Sequence, residues 1–418
     1  MTTASREFVH GPRAWALLAA LTLVSIFSQI DRILPYILAE SIRTDLGLSD
    51  TELGLITGLA FAVCYTLFSL PLARAADRGS PRLVLLACLL VWSLMTGLGG
   101  LASGFVVLAL TRLGVAVGEA GGTPSAHALI ARRIAPEKRG VAIGLFAMGI
   151  PLGTMIGFIG GGLIDEAFGW RAAFLGAGAL GLTVALIAWF AAGSTPPLRP
   201  RPEQVEPFSR SAMRLLTVPA FRWLMVAALA VGFATAPFYT FTAPFLIRTH
   251  GFTTAQVGLS FGLLQGLTGV IGALAGGRMF DRAMRRNTRH PLLAPAILLV
   301  VGAASTTGAL FAPTGWMAIT LSVPAMLGFA FLLPWVFGAG HRIAGPGKEA
   351  LASSLGLIAS GLLGPALAPV MVGLVSDGAA EAGLANGLGL ALLIGPAFSV
   401  LTALALTAAG NRMRSSSA

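Results

Sequence analysis

The stretch GLSDTELGLITGLAFAVCYTLFSLPLARAADR, residues 47–78, has a counterpart in GFTTAQVGLSFGLLQGLTGVIGALAGGRMFDR, residues 251–282. The two align without a gap at an offset of 204 (251 − 47), close to half of the 418-residue chain. Gly47 pairs with Gly251, Gly54 with Gly258, Asp77 with Asp281 and Arg78 with Arg282. Each copy opens on a turn, runs through about 20 mostly apolar residues, and closes on an acid followed by a base. Such a run is long enough to cross a hydrocarbon layer as a helix. The chain therefore reads as a duplication whose unit is a set of membrane-crossing helices.

The remainder has the same grain. The chain is 56% hydrophobic and only 11% charged, against ~25% in a typical soluble protein. Apolar runs mark twelve spans, at 15–39, 52–74, 83–102, 105–130, 140–163 and 171–192, then 219–247, 255–277, 292–312, 316–339, 350–375 and 384–409. A net charge of +11 raises the possibility of a nucleic-acid partner, but the placement of the charge argues against one. Basic residues before span 1 and in alternate loops number 23, from Arg6 and Arg13 through Arg199, Arg201 and Arg289 to Arg412 and Arg414. The other loops hold Arg43, Arg171 and Arg248. This is the positive-inside pattern, and it puts both termini in the cytoplasm. Residues 1–13 lack an apolar core, so no cleavable signal is expected. Cys64 and Cys88 fall within spans and read as small packing residues. The Arg-, Ala- and Gly-rich bias suggests a bacterial inner-membrane protein.

The duplicated segments sit on the same topological side, so the halves are parallel repeats: 1–192, a six-helix bundle; 193–218, a Pro-rich charged cytoplasmic linker; and 219–418, a second six-helix bundle. The fold class is all-α with twelve transmembrane helices, an arrangement that resembles the major facilitator transporters. The loops LARAADRGSPR (72–82) and GGRMFDRAMRR (276–286) resemble that superfamily's signature loop between its second and third helices. The resemblance implies a cytoplasmic gate of Asp77, Arg78 and Arg82, repeated in Asp281 and Arg282. Gly79 and Ser80 depart from the usual glycine spacing.

Other motifs carry less. GLSFG (258–262) matches the G-x-S-x-G of serine hydrolases, but it lies inside a span and its repeat partner, GLITG, has no serine. Small residues that let helices approach closely explain it better. No H-E-x-x-H, paired C-x-x-C or phosphate-cradling loop occurs, so no enzyme, metal or cofactor is expected. In span 5, Gly144, Gly149, Gly153, Gly157 and Gly161 recur every four or five residues and predict a ridge for tight helix contact. Pro124, Pro151, Pro237, Pro244, Pro324, Pro334, Pro365 and Pro369 mark expected bending points.

Ionisable residues inside the spans are few: Asp31 and Arg32 in span 1, Arg112 and Glu119 in span 4, and His127 near its end. A charge near the midplane costs ~2.5–3.5 kcal/mol on insertion scales, so such groups pair or work. All lie in the first half. Coupling of an ion there, with Asp31 and Glu119 handling protons and Arg32 and Arg112 as charge partners, is the functional reading; a structural salt-bridge cluster is the alternative. The second half offers Phe, Leu and Met with isolated Tyr239, Thr240, Gln265 and Thr268, suited to an amphipathic ligand, and Tyr239 and Gln265 together with His127 of span 4 are the expected substrate-cavity residues.

LTRLGVAVGEAGGTPSAHALIARR (110–133), the Asp31-Arg32 pair and IPLGTMIGFIGGGLIDEAFGWR (150–171) resemble the Spinster branch of the superfamily, most closely over residues 25–171. That resemblance implies transport of an amphipathic lipid of the sphingolipid or lysophospholipid kind. It also implies proton handling at the positions of Asp31 and Glu119, with Arg32 as their switching partner. The expected partners are the substrate, protons and membrane lipids, with the chain acting as a monomer. The rival readings are a proton-coupled exporter of drugs or other hydrophobic molecules, and an organic-anion carrier.

Overall fold

The protein is described by a computed structural model covering residues 8–9, 11–193, 208–286, 290–345 and 348–415. Arg6, Arg199, Arg201, Arg289 and most of the expected linker lie outside the described residues. Among the described residues, twelve helices are long and apolar enough to span: α1 Pro12–Ile37, α2 Asp50–Arg78, α3 Pro81–Gly99, α4 Phe105–Arg133, α5 Pro136–Phe168 and α6 Trp170–Ala192. The second half contributes α7 Pro219–His250, α8 Thr254–Arg285, α9 Leu293–Leu310, α10 Gly315–Ala344, α11 Leu351–Glu381 and α12 Gly387–Met413. Each overlaps the span read from hydropathy, and the ends extend outward where polar residues continue a helix beyond its apolar centre. A short helix, Ala39–Leu46, follows α1, and another, Phe208–Thr217, precedes α7. Outward faces are apolar: Phe190, Val106 and Leu404 are largely exposed, as suits contact with lipid tails.

The repeated glycines end helices. Gly47 closes Ala39–Leu46 and Gly251 closes α7, at φ 65° and 67°, a left-handed conformation that a side chain disfavours. Prolines act unevenly. Pro237 and Pro244 sit within a continuous α7, and Pro324 and Pro334 within α10. By contrast, α4 is interrupted at Gly121 just before Pro124, and α5 at Met148 just before Pro151. In α11 a π-helical turn, Ala359–Leu363, precedes Pro365. A proline lacks the N–H that would bond four residues back, so the loosening falls on its N-terminal side.

The described residues form two compact units. Unit 1 lies within Met1–Leu48, Val63–Pro202 and Thr254–Gly262; unit 2 lies within Ser49–Ala62, Glu203–Thr253 and Leu263–Ala418. In unit 1, α1 packs on α5 and α6, and α3 on α4 and α6. The glycine ridge of α5 does this work at four of its five positions. A Cβ on Gly149, Gly153, Gly157 or Gly161 would meet α1 atoms at 2.4, 2.4, 3.1 and 2.8 Å, whereas Gly144 faces open space. In unit 2, α7 packs on α12, α11 and α10, and α9 on α10 and α12. Cys64 and Cys88 are free thiols.

Candidate functional site

Glu119 reaches the interior of unit 1 because α4 can lie close to α3. A Cβ at Gly118 would stand 2.8 Å from Trp92, and one at Gly121 would stand 2.5 Å from the Cys88 Sγ. Arg32, on α1, donates from Nε to Glu119 Oε2 at 2.5 Å, and the Ser28 hydroxyl donates to the same oxygen at 3.4 Å. The Arg32 guanidinium also lies over the Tyr65 ring, 4.7 Å from its centroid. The Glu119 side chain has no solvent exposure, whereas that of Arg32 is 32% exposed. The pair is therefore lopsided, with the carboxylate sealed in and the arginine reaching solvent.

Asp31 turns elsewhere. Successive residues diverge by about 100° around a helix. Asp31 is accordingly buried, with Glu119 and Arg112 as its charged neighbours and Thr96 beside it. Arg112 is buried too. One carboxylate oxygen of each acid, Asp31 Oδ1 and Glu119 Oε1, has no hydrogen-bond partner. Two acids and two arginines thus share one region of unit 1, the Arg32–Glu119 ion pair among their contacts, with one carboxylate oxygen of each acid left without a hydrogen bond.

His127 is not part of this cluster. It is exposed and meets Phe146 edge-on at 5.4 Å. In unit 2, Tyr239 and Gln265 come together: Gln265 Nε2 donates to the Tyr239 hydroxyl at 2.6 Å.

At the signature loop, Asp77 and Arg78 are exposed, as are Asp281 and Arg282. Arg82 donates to the Trp189 carbonyl at 2.7 Å and stacks over that indole at 4.2 Å. The end of α2 is held by Arg132 of α4, which donates to the carbonyls of Ala76, Asp77 and Gly79 at 2.9, 2.7 and 3.0 Å. A helix leaves its last carbonyls unpaired, and a guanidinium fork satisfies several at once. Sequence reading counted Arg132 only as a topological charge.

It also missed a polar clasp at the other end of α2, inside unit 2. Ser49 and Glu52 form a capping box, with Ser49 Oγ accepting from the Glu52 N–H and Glu52 Oε2 accepting from the Ser49 N–H. The Asp377 carboxylate of α11 accepts from the N–H groups of Asp50 and Thr51 at 3.0 and 2.9 Å. The first three N–H groups of α2 are thus all paired. The Asp50 carboxylate, 3% exposed, takes both Arg248 Nη atoms at 2.7 Å and the Ser376 hydroxyl at 2.7 Å. In unit 1 the matching contact runs from the Ala255 N–H to Glu166 Oε2 at 3.2 Å. A second internal repeat, GLIDE (162–166) against GLVSD (373–377), was the available signal. Outside the spans, Asp45 bonds Arg171 and Trp170, and the Arg171 guanidinium holds the Asp45 carboxyl below the usual aspartate value.

The family model described as Major Facilitator Superfamily matches residues 17–369. The chain belongs to the Major Facilitator Superfamily. An MFS-type efflux pump of Mycolicibacterium smegmatis is 36% identical over 92% of this major facilitator and 90% of the relative. A hexuronate transporter of Bacillus subtilis is 26% identical over 76% of each chain. A crystal structure of a bacterial homologue of the human lysosomal transporter Spinster, inward-facing and unoccupied, matches with a TM-score of 0.81 and 27% identity, covering 97% of both chains. This major facilitator is a multi-pass membrane transporter with a Spinster-like structure.

Proposed function

We propose that the chain is a proton-coupled secondary transporter that moves an amphipathic, lipid-like molecule across the bacterial inner membrane by alternating access. The observation that carries this reading is the Arg32–Glu119 bond at 2.5 Å beside a buried Asp31. Arg32 can neutralise one carboxylate fully at a time. When it moves from Glu119 toward Asp31, Glu119 takes a proton to remain in its apolar surround, and the reverse movement releases it. Asp31 and Glu119 are the proton-handling residues, and Arg32 and Arg112 are their charge partners. Tyr239 and Gln265 supply polar contacts to the substrate from a largely apolar, aromatic unit. The exposed Asp77, Arg78, Asp281 and Arg282, with Arg82, belong to the cytoplasmic gate. The distribution of basic residues supports cytoplasmic termini. The sequence halves 1–192 and 219–418 serve as the two bundles, and the chain works as a monomer without cofactor or catalytic chemistry.

A second reading, export of drugs or other hydrophobic molecules, is favoured by the 36% identity to an efflux pump. Both readings share the coupling site and part on the cargo. Native mass spectrometry of gently purified protein separates them through the molecule retained.

The coupling site is tested in proteoliposomes loaded with that molecule and given a pH step. Asp31→Asn and Glu119→Gln should each insert and fold, since removing a buried charge eases insertion. Each should lose pH-driven transport by about tenfold or more, the scale of an ordinary coupling free energy. Wild-type rates in both variants would make the cluster structural.

A further inference from the structure

The linker helix Phe208–Thr217, which precedes α7, reads FSRSAMRLLT and has two unlike faces. Successive residues turn by about 100°, so Arg210, Met213, Arg214 and Thr217 fall within one arc of about 100°. All four are exposed, Met213 by 66%. Ala212, Leu215 and Leu216 fall on the opposite side. Leu215 is buried with Phe221 of α7 and Ala352 of α11, and Leu216 packs against the same cluster. The apolar face is therefore already taken by unit 2, and the face left outward carries two arginines and a methionine.

α7 sets the depth of that face. The Val218 N–H donates to the Leu215 carbonyl at 3.0 Å, and Pro219 opens α7 immediately afterwards. α7 has 32 residues and rises about 48 Å, slightly more than the ~40–45 Å of a bilayer with its headgroups. Its ends therefore stand at headgroup level. Trp223, four residues in and about 6 Å deeper, lies under the Arg412 guanidinium, 5.3 Å from the ring centroid. Tryptophan is enriched at that boundary. The linker helix leaves α7 within one Debye length, ~8 Å, of the Trp223 level.

The charge around the helix is one-signed. No acid occurs from Pro207 to Val218. Glu203 and Glu206 precede the helix, outside the described residues, and are matched in number by Arg199 and Arg201. Of the elements packed beside it, α7 adds the exposed Arg222, and Lys348 and Glu349 before α11 offset each other. A basic stripe would suit any polyanion. An exposed methionine between the two arginines suits a layer in which phosphates lie directly above acyl chains, and not a nucleic acid.

We propose that the linker helix is a binding element for anionic phospholipid, with Arg210 and Arg214 holding the headgroup phosphate through their guanidinium forks. On the topology proposed above, this end of α7 faces the cytoplasm, where the leaflet is anionic. Neither proton coupling nor the identity of the cargo enters the proposal.

The test uses the full chain in phosphatidylcholine vesicles, with bimane on Thr217→Cys in a Cys64→Ala, Cys88→Ala background. The probes are phosphatidylglycerol and phosphatidylcholine, each with a nitroxide at the fifth acyl carbon, compared as quenchers at equal mole fraction. Phosphatidylglycerol should be preferred by roughly twentyfold, the product of about fivefold for each arginine. Arg210→Gln and Arg214→Gln should each cut the preference about fivefold, and together remove it. Salt at about 0.5 M should erase most of it in the unsubstituted helix, an arm that needs no folded variant. Arg285→Gln with Arg286→Gln, which takes the same charge from the exposed end of α8, should leave it unchanged. Equal quenching by the two lipids would overturn the site and leave the stripe to a soluble acidic partner. An undiminished preference in the Arg210→Gln, Arg214→Gln double variant, or an equal loss in the α8 control, would overturn it too.

Discussion

Arg32 bonds one carboxylate and lies over one aromatic ring, two contacts that the proposed switch can use. The Glu119 bond at 2.5 Å holds it toward α4, while the Tyr65 ring at 4.7 Å offers a weaker seat. Cation–π contacts contribute ~0.5–2 kcal/mol, enough to bias a two-position side chain without locking it. Tyr65→Leu should therefore slow pH-driven transport several-fold while leaving the fold intact, and Tyr65→Phe should fall between that variant and the wild type. Uptake rates in proteoliposomes measure the series. Equal rates for all three would remove Tyr65 from the mechanism. Membership of the ionic cluster was legible in the sequence, because a charge inside an apolar run stands out by itself. The resemblance already implied Arg32 as partner of both acids; that it bonds Glu119 and not Asp31 was not legible, since it depends on how far Gly118 and Gly121 let α4 approach α3.

Among the elements, the N-terminus of α2 is held by side chains from its own cap and from α11. Its first three N–H groups are paired by Asp377 and Ser49, and beyond them α2 lies directly on the α11 backbone. A Cβ at Gly54 would stand 2.5 Å from the Pro369 carbonyl oxygen, and one at Gly373 would stand 2.5 Å from that of Asp50. The buried Asp50 needs Arg248. Arg248→Ala leaves that carboxylate uncompensated and should destabilise the protein by about 3 kcal/mol, seen as a lower unfolding temperature in detergent. Adding Asp50→Asn should recover part of the loss. If the double variant is no more stable than Arg248→Ala, the Asp50–Arg248 bond does not account for the effect. Sequence reading placed Gly54 and Gly258 as a repeat pair but assigned no role to Arg248 or Asp377. Arg248 stood out only as one of few bases in the sparse loops, and the GLIDE–GLVSD repeat passed unnoticed.

For the whole molecule, the same clasp sets a condition on transport. Residues 49–62 come from the first half of the chain yet pack within unit 2, and the proposed alternating access would have them let go of α11 in each cycle. The Thr51 hydroxyl and the Asp377 carboxylate are 2.5 Å apart. A disulfide between cysteines placed by Thr51→Cys and Asp377→Cys, in a Cys64→Ala, Cys88→Ala background, should stop transport, and reduction should restore it. Undiminished transport by the cross-linked protein would show that this contact never opens. Orientation is tested separately. Thr44 and Thr217 are both exposed. Single cysteines from Thr44→Cys and Thr217→Cys should react with an impermeant maleimide from opposite faces of the membrane, Thr44→Cys from the outside. Reaction of both from one face would contradict the twelve-span topology.

The sequence by itself determined the number of spans, their positions and the duplication. In hydrocarbon a helix must satisfy its own backbone, so each span is written in the local run of apolar residues. It also determined which charges lie inside the spans, because each carries its cost wherever its partner lies. Tertiary structure alone decided that Arg32 takes Glu119, that Arg132 holds the end of α2, and that Asp377 and Arg248 secure its beginning. These contacts join residues remote in sequence at distances set by glycine-mediated helix approach and by interruptions before proline. No local pattern encodes such distances, since they arise only when helices from separate parts of the chain pack against one another.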